Sequence, residues 1–107
     1  MALSLADIKA AADAKYAHKP IDLEDGTVVT LVNPLRMSKD ARNVLKGTSA
    51  RLKEDGADEF EVLSEALIAA AKTKAEGRKL VASLDNDVAY AMGVFESYMT
   101  EVQAGEA

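Results

Sequence analysis

The chain of 107 residues contains no cysteine and has a formal net charge of −5. This excludes disulfides and thiolate metal sites, and it argues against nucleic acid as a partner, because phosphate binding needs a basic surface. Hydrophobic residues make up 49% of the chain, but much of that fraction is alanine, so we expect a thin core of closely packed helices that favours self-association.

No apolar run approaches the ~20 residues that cross a membrane. Asp7 and Lys9 interrupt the N-terminal stretch, which therefore lacks the apolar core of a signal peptide. We expect a single soluble domain over residues 1–107 that works in a reducing cytoplasm and has neither a membrane nor a nucleic-acid partner.

The first predicted element is a helix that Ser4 caps at its N-terminus. It ends around Ala17 to Lys19, because the residue before Pro20 is pushed away from helical angles. Four residues at helical spacing predict one apolar stripe on this helix: Leu5, Ile8, Ala12 and Tyr16.

A β-hairpin is predicted next, because the segment of about residues 21–32 alternates as strands do. Asp25-Gly26 is a strong signal for a two-residue turn. Such a turn places Leu23 opposite Val28, and it predicts a core face made of four residues: Ile21, Leu23, Val28 and Val32.

Val29 and Leu31 fall on the opposite face of this predicted hairpin, beside acidic residues. Two interpretations remain open. Either a helix covers the pair or the register is shifted by one residue, or else this face or edge strand is kept for a partner. An isolated two-stranded hairpin is barely stable in water, so another element must cover it.

Helical patterns fill the rest of the chain. One helix begins after Ser38, another after Asp58, and the last runs from Val88 to Val102 after a cap cluster at residues 85–87. Gly77 predicts a break or kink, after which either a short helix over residues 78–84 follows or the third helix continues. The predicted fold class is α+β, mostly α, with four or five helices and one β-hairpin between helix 1 and helix 2.

No residue pattern predicts catalysis, a cofactor or a metal. His18 is the only histidine, and no orienting partner for a general base accompanies it. The acidic residues at 22, 24 and 25 match a hairpin turn rather than a calcium loop, and neither a nucleophile elbow nor a phosphate loop is present. We expect a non-enzymatic protein without a cofactor.

Charge is distributed unevenly. Residues 80–107 contain no lysine or arginine, whereas basic clusters occupy residues 36–46 and 72–79. Either these are solvated helix faces that pair within the fold, or the acidic last helix meets a basic partner or a basic cluster of a second copy.

The order of elements resembles a known family. An N-terminal helix, the segment IDLEDGTVVTLVNPLRMSKDAR and acid-rich helices ending near FESYMTEVQAGEA resemble the small tail assembly chaperones of long-tailed bacteriophages, above all those of phages that infect actinobacteria. The most specific part is the Asp-Gly hairpin followed by Asn33-Pro34-Leu35-Arg36 and a capped helix.

The resemblance implies a non-catalytic protein of the host cytoplasm that is absent from the mature virion. Its implied partners are the tape measure protein, which it coats and keeps from aggregating, and the major tail tube protein, which it helps to recruit. A longer frameshifted form of the same protein is a further implied partner, and we expect a homo-oligomer.

We predict that a partner-binding surface is formed by Val29, Leu31, Leu35 and Met37. Two other functions remain open. A structural tail or head-completion protein would stay in the purified virion, and an acidic regulatory or inhibitor protein would bind a basic target.

Overall fold

The computed structural model describes residues 4–104. Its elements in chain order are α1 (Leu5–Lys15), β1 (Lys19–Asp22), β2 (Val28–Leu31), α2 (Lys39–Leu52), α3 (Glu59–Ala70), α4 (Lys74–Ala82) and α5 (Val88–Ala104). A short 3-10 turn, Pro34–Arg36, joins β2 to α2. The predicted fold class is confirmed: the described chain is mostly helical, with five helices and one antiparallel hairpin between α1 and α2.

Polar side chains set where the helices begin. Each accepts a hydrogen bond from a main-chain amide in the first turn, which would otherwise have no partner. Ser38 Oγ accepts from the amide of Ala41 (3.2 Å) and Asp58 Oδ1 from that of Glu61 (3.1 Å). The predicted caps at these two positions are confirmed, as is the weaker one at Ser4.

The hairpin register differs from the predicted one by a single residue. Val29 pairs with Ile21, and the loop has three residues instead of two. The Gly26 amide donates to the Leu23 carbonyl (3.0 Å), and the Leu23 amide donates to the Thr27 carbonyl (2.8 Å). Gly26 adopts φ +88°, the left-handed angle that a type I turn with a glycine bulge requires.

This register corrects the predicted core face. Ile21 and Leu23 do face the core, but Val28 is 52% exposed, while Val29 and Leu31 are 1% and 0% exposed. Because side chains alternate along a strand, a shift of one residue exchanges the two faces. The register shift that the sequence left open therefore accounts for the second apolar pair.

The outer edge of β2 is covered by the chain between α3 and α4. The Val32 amide donates to the Ala70 carbonyl (2.7 Å), and the Lys72 amide donates to the Thr30 carbonyl (2.9 Å). Glu76 Oε1 accepts from the Thr30 amide (3.1 Å). The edge that strand addition would need is thus occupied within the chain.

The predicted break at Gly77 is wrong in position. Helix α3 ends at Ala70, where the main chain turns to pair with β2, and α4 restarts after Thr73, which caps it. Gly77 lies inside α4, against α3. A Cβ atom there would come within 2.7 Å of the Cα of Ile68, so the glycine permits close packing of the two helices.

Helix α3 and the hairpin form the centre of the core, and α5 covers one side. The hydroxyl of Tyr98, on α5, donates to the carbonyl of Val32. The buried residues that make up this core are Leu23, Val29, Leu31, Met37, Leu63, Leu67, Ala70, Ala71, Leu80, Leu84, Ala91 and Tyr98.

Candidate protein-binding surfaces

The polar residues singled out in the sequence have structural contacts. His18 Nδ1 accepts a hydrogen bond from the main-chain amide of Asn33 (3.1 Å) and so links the segment after α1 to the end of the hairpin. Within residues 4–104, no three histidine or acidic side chains come together in a way that could hold a metal ion.

Asp25 stabilises the hairpin turn. Its Oδ1 accepts hydrogen bonds from the hydroxyl (2.6 Å) and the amide (3.0 Å) of Thr27, and its Oδ2 lies 3.2 Å from Lys79 Nζ. These contacts, the Thr27 hydroxyl above all, lower the pKa of Asp25 to about 2. The carboxylate is therefore engaged in holding the turn to α4.

The four predicted partner-binding residues do not form one exposed surface. Val29 and Leu31 face the core, and Met37 is also buried. Leu35 is the exception at 52% exposed, on the 3-10 turn between β2 and α2. Had the Asp-Gly loop been assigned three residues, the sequence would have placed Val29 and Leu31 in the core. Contact between Leu35 and a partner stays a prediction.

An open groove, called here the α2–α3 groove, runs between α2 and the end of α3. Its volume is about 890 Å³. The apolar part of its lining consists of small and aliphatic residues: Ala41, Val44, Gly47, Ile68, Ala69 and Ala71. A Cβ at Gly47 would meet nothing within 4 Å, so the absence of a side chain there keeps the α2 side of the groove open.

Charged residues line the edges of the α2–α3 groove. Arg51 and Glu65 form an ion pair from α2 to α3, and this hydrogen bond raises the pKa of Arg51. The groove is also lined by Asp40 of α2, by Lys72 after α3 and by Lys74 at the start of α4. An apolar floor with polar edges is the arrangement that grooves for amphipathic helices share.

A second groove, called here the α5–hairpin groove, has a volume of about 640 Å³. Its apolar lining comes from β1, the turn after α4, and α5: Ile21, Leu84, Ala89, Tyr90, Gly93 and Val94. Two carboxylates, those of Glu24 and Asp85, also line it, and among the described residues no basic side chain does.

The turn between α4 and α5 forms one end of the α5–hairpin groove. Asp85 and Asn86 both have φ +55°, and the Asp87 amide donates to the Leu84 carbonyl (3.0 Å). Left-handed angles at both central positions define a type I′ turn, which aspartate and asparagine tolerate best. Asp87 then caps α5 through the amides of residues 89 and 90.

Helix α1 packs little against the remainder of the described chain. None of its side chains is buried, and Leu5 and Ile8 from its apolar stripe are 63% and 48% exposed. An ion pair between Asp13 and Arg36 (2.6 Å) tethers it to the 3-10 turn. The radius of gyration, 15.2 Å, exceeds the ~13 Å expected of a compact chain of this length, consistent with an elongated shape.

Charge pairing within the fold is partial. Lys19 pairs with Glu101 of α5 (3.0 Å), and Lys79 pairs with Asp25. Lys39, Arg42 and Lys46 are exposed on α2 and take part in none of the ion pairs found among the described residues. Part of the basic surface therefore remains available to a partner.

No helix among residues 4–104 combines the length and apolar character needed to cross a membrane.

Comparisons with known proteins identify the family. Neither curated proteins nor solved structures gave a significant match. A family model described as mycobacteriophage tail assembly protein matches residues 1–107, the whole chain, which confirms the resemblance seen in the sequence; the protein belongs to this family of tail assembly proteins.

Proposed function

We propose that this protein is a tail assembly chaperone that binds the tape measure protein and keeps it soluble until the tail tube encloses it. In this role it also helps to recruit major tail tube subunits, and a longer frameshifted form of the chain takes part. The family supports a role in tail assembly. The observation that supports helix binding is the α2–α3 groove with its apolar floor.

The groove suits a helix that exposes an apolar stripe. Small side chains at Ala41, Gly47 and Ala69 let another helix approach closely, and Val44 and Ile68 supply apolar contact. Such helix-in-groove recognition reads apolar residues one turn apart and tolerates variation elsewhere. A long helical protein would offer many such segments, so one chaperone could coat it at many places.

Binding at any one groove is expected to be weak. Burying about 400 Å² of apolar surface contributes roughly 10 kcal/mol, and the loss of free motion on association costs about 4–15 kcal/mol. Several copies acting along one partner gain through effective concentration. This agrees with a chaperone that coats its partner in the host cytoplasm and leaves before the virion is complete.

The test is co-expression with the tape measure protein. We expect Gly47→Arg to fill the groove without disturbing α2. The new side chain extends into open space, and arginine has a higher helix propensity than glycine. The soluble fraction of the tape measure protein should fall. Ser49→Arg, at an exposed position two residues on, is the matched control and should leave solubility unchanged.

Two results would contradict the proposal. If the tape measure protein stays soluble with Gly47→Arg, a different surface binds it. If mass spectrometry finds the protein in purified virions, it is a structural component of the particle instead. Leu35→Glu in the same assay asks whether this exposed residue also touches the partner.

A further inference from the structure

Besides the α2–α3 groove, two further apolar surfaces of the described chain are open. One is the α1 stripe, defined here as Leu5, Ile8 and Ala12, of which Leu5 and Ile8 are largely exposed. The other is the α5–hairpin groove, whose apolar floor is open. An isolated helix of 11 residues is marginal in water, because helices shorter than ~12–15 residues are rarely stable alone. Helix α1 therefore needs an apolar contact.

Charge shows which groove the α1 stripe fits. At about 3.6 residues per turn, Lys9 and Lys15 lie on either side of the stripe. The α5–hairpin groove carries carboxylates at Glu24 and Asp85 and no basic side chain. Lysines beside an apolar stripe match carboxylates beside an apolar groove.

The α2–α3 groove is a poorer match for α1. Its charged lining consists of Lys72, Lys74, Asp40 and the Arg51–Glu65 ion pair. This lining attracts the lysines beside the stripe less than the two carboxylates of the α5–hairpin groove do. Like charges brought together at an interface oppose binding.

Two contacts of α1 and the segment after it disfavour binding of α1 to the α5–hairpin groove of its own chain. The Asp13–Arg36 ion pair ties α1 to the 3-10 turn (2.6 Å), and the His18–Asn33 hydrogen bond ties the segment after α1 to the end of the hairpin (3.1 Å). The ion pair would have to break before α1 could fold back, and the hydrogen bond restrains the short segment on which α1 would turn. We propose that α1 of one copy binds the α5–hairpin groove of a second copy.

The contact joins two different surfaces, so it is isologous in a reciprocal dimer and heterologous when it runs one way. Reciprocal exchange gives a dimer, and one-way contact gives a longer series of copies. One helix in one groove buries less than the ~1,200 Å² of a stable interface, so association should depend on concentration and weaken with salt. The contact is separate from the α2–α3 groove and does not rest on the proposed function.

Sedimentation velocity over a range of protein concentrations tests the contact. We expect the wild type to associate at low salt, and Ile8→Glu and Gly93→Arg each to sediment as monomers. At Gly93 a Cβ meets nothing within 4 Å, so the arginine fills the groove and leaves α5 intact. Ala10→Glu, on the other side of α1, and Gly47→Arg, in the other groove, are matched controls that should still associate.

Mixing the two monomeric variants gives the sharpest outcome. Ile8→Glu keeps an intact groove and Gly93→Arg keeps an intact α1, so the mixture should form a one-to-one complex. A wild type that is monomeric throughout, single variants that still associate, or a mixture that stays monomeric would each overturn the proposal.

The absence of cysteine permits a second measurement. In a chain carrying both Ile8→Cys and Gly93→Cys, mild oxidation should produce covalent dimers or longer species on a denaturing gel. Covalent monomers with an internal bridge would show that α1 binds its own groove, and the proposal would be wrong. If no covalent dimers or longer species form, the tape measure assay with Gly47→Arg is unaffected. The proposed self-association and the proposed function can therefore fail separately.

Discussion

The hydroxyl of Tyr98 and the carbonyl of Val32 form a hydrogen bond that joins α5 to the end of the hairpin. Tyr98 is fully buried, and its burial raises the pKa of the phenol above its ordinary value. We expect Tyr98→Phe to lower the free energy of unfolding by about 1–2 kcal/mol, because the carbonyl loses its partner in the interior. Chemical denaturation measures this, with Tyr90→Phe as the exposed control. Equal stability of the two variants would contradict the assignment.

The hairpin register predicts unequal effects at two leucines. Leu31→Ala should cost about 2–5 kcal/mol, since it empties a core position. Leu35→Ala should stay within about 0.5 kcal/mol, since Leu35 is exposed. Both are measured by urea unfolding. If Leu31→Ala costs as little as Leu35→Ala, Leu31 does not face the core and the register is not the one described.

Close packing of α4 on α3 predicts opposite signs at two glycines. Gly77→Ala should destabilise by about 1–3 kcal/mol, because its methyl group would collide with the Ile68 backbone. Gly47→Ala should stabilise by up to about 1 kcal/mol, because alanine favours helix and its methyl group has room. Thermal unfolding of both variants provides the comparison. A stabilising Gly77→Ala would show that the helices lie further apart.

Asp25 predicts a dependence of stability on pH. Its pKa falls from 3.8 to about 2 on folding, so the ionised carboxylate stabilises the fold above about pH 4. That stabilisation is lost as the pH falls toward 2. We expect the stability difference between the wild type and Asp25→Asn to shrink over this range. Thr27→Val removes the hydroxyl that lowers the pKa of Asp25 most, so it should weaken the pH dependence of stability. A stability difference between the wild type and Asp25→Asn that stays constant from about pH 4 to about pH 2 would contradict this role of Asp25.

Much of the fold follows from local signals. Ser38 and Asp58 are cap residues whose hydrogen bonds lie within one helical turn, so their effect can be inferred without tertiary structure. The register could not be inferred in this way. Asp25-Gly26 suits both a two-residue and a three-residue loop, and only packing of the hairpin against the helices selects the one that buries Val29.

The end of α3 has only an indirect local signal, the capping pattern of Thr73 and Glu76 that starts α4. Residues 69–71 are all alanine, the best helix former, yet the helix stops because the main chain at Ala71 pairs with Leu31. Gly77 is a local break signal that tertiary packing overrides. The grooves were missed for a related reason, because each is made by residues distant in sequence.

The pairing of residues 70–72 with β2 has a consequence for synthesis of the chain. Two strands alone are barely stable, so the hairpin emerging from the ribosome stays loosely formed until the third segment has been translated. Pairing across this separation closes a long loop, which slows folding. Val29 and Leu31 thus stay exposed in the nascent chain until residues 70–72 have been made, and in this interval the chain itself is prone to aggregate.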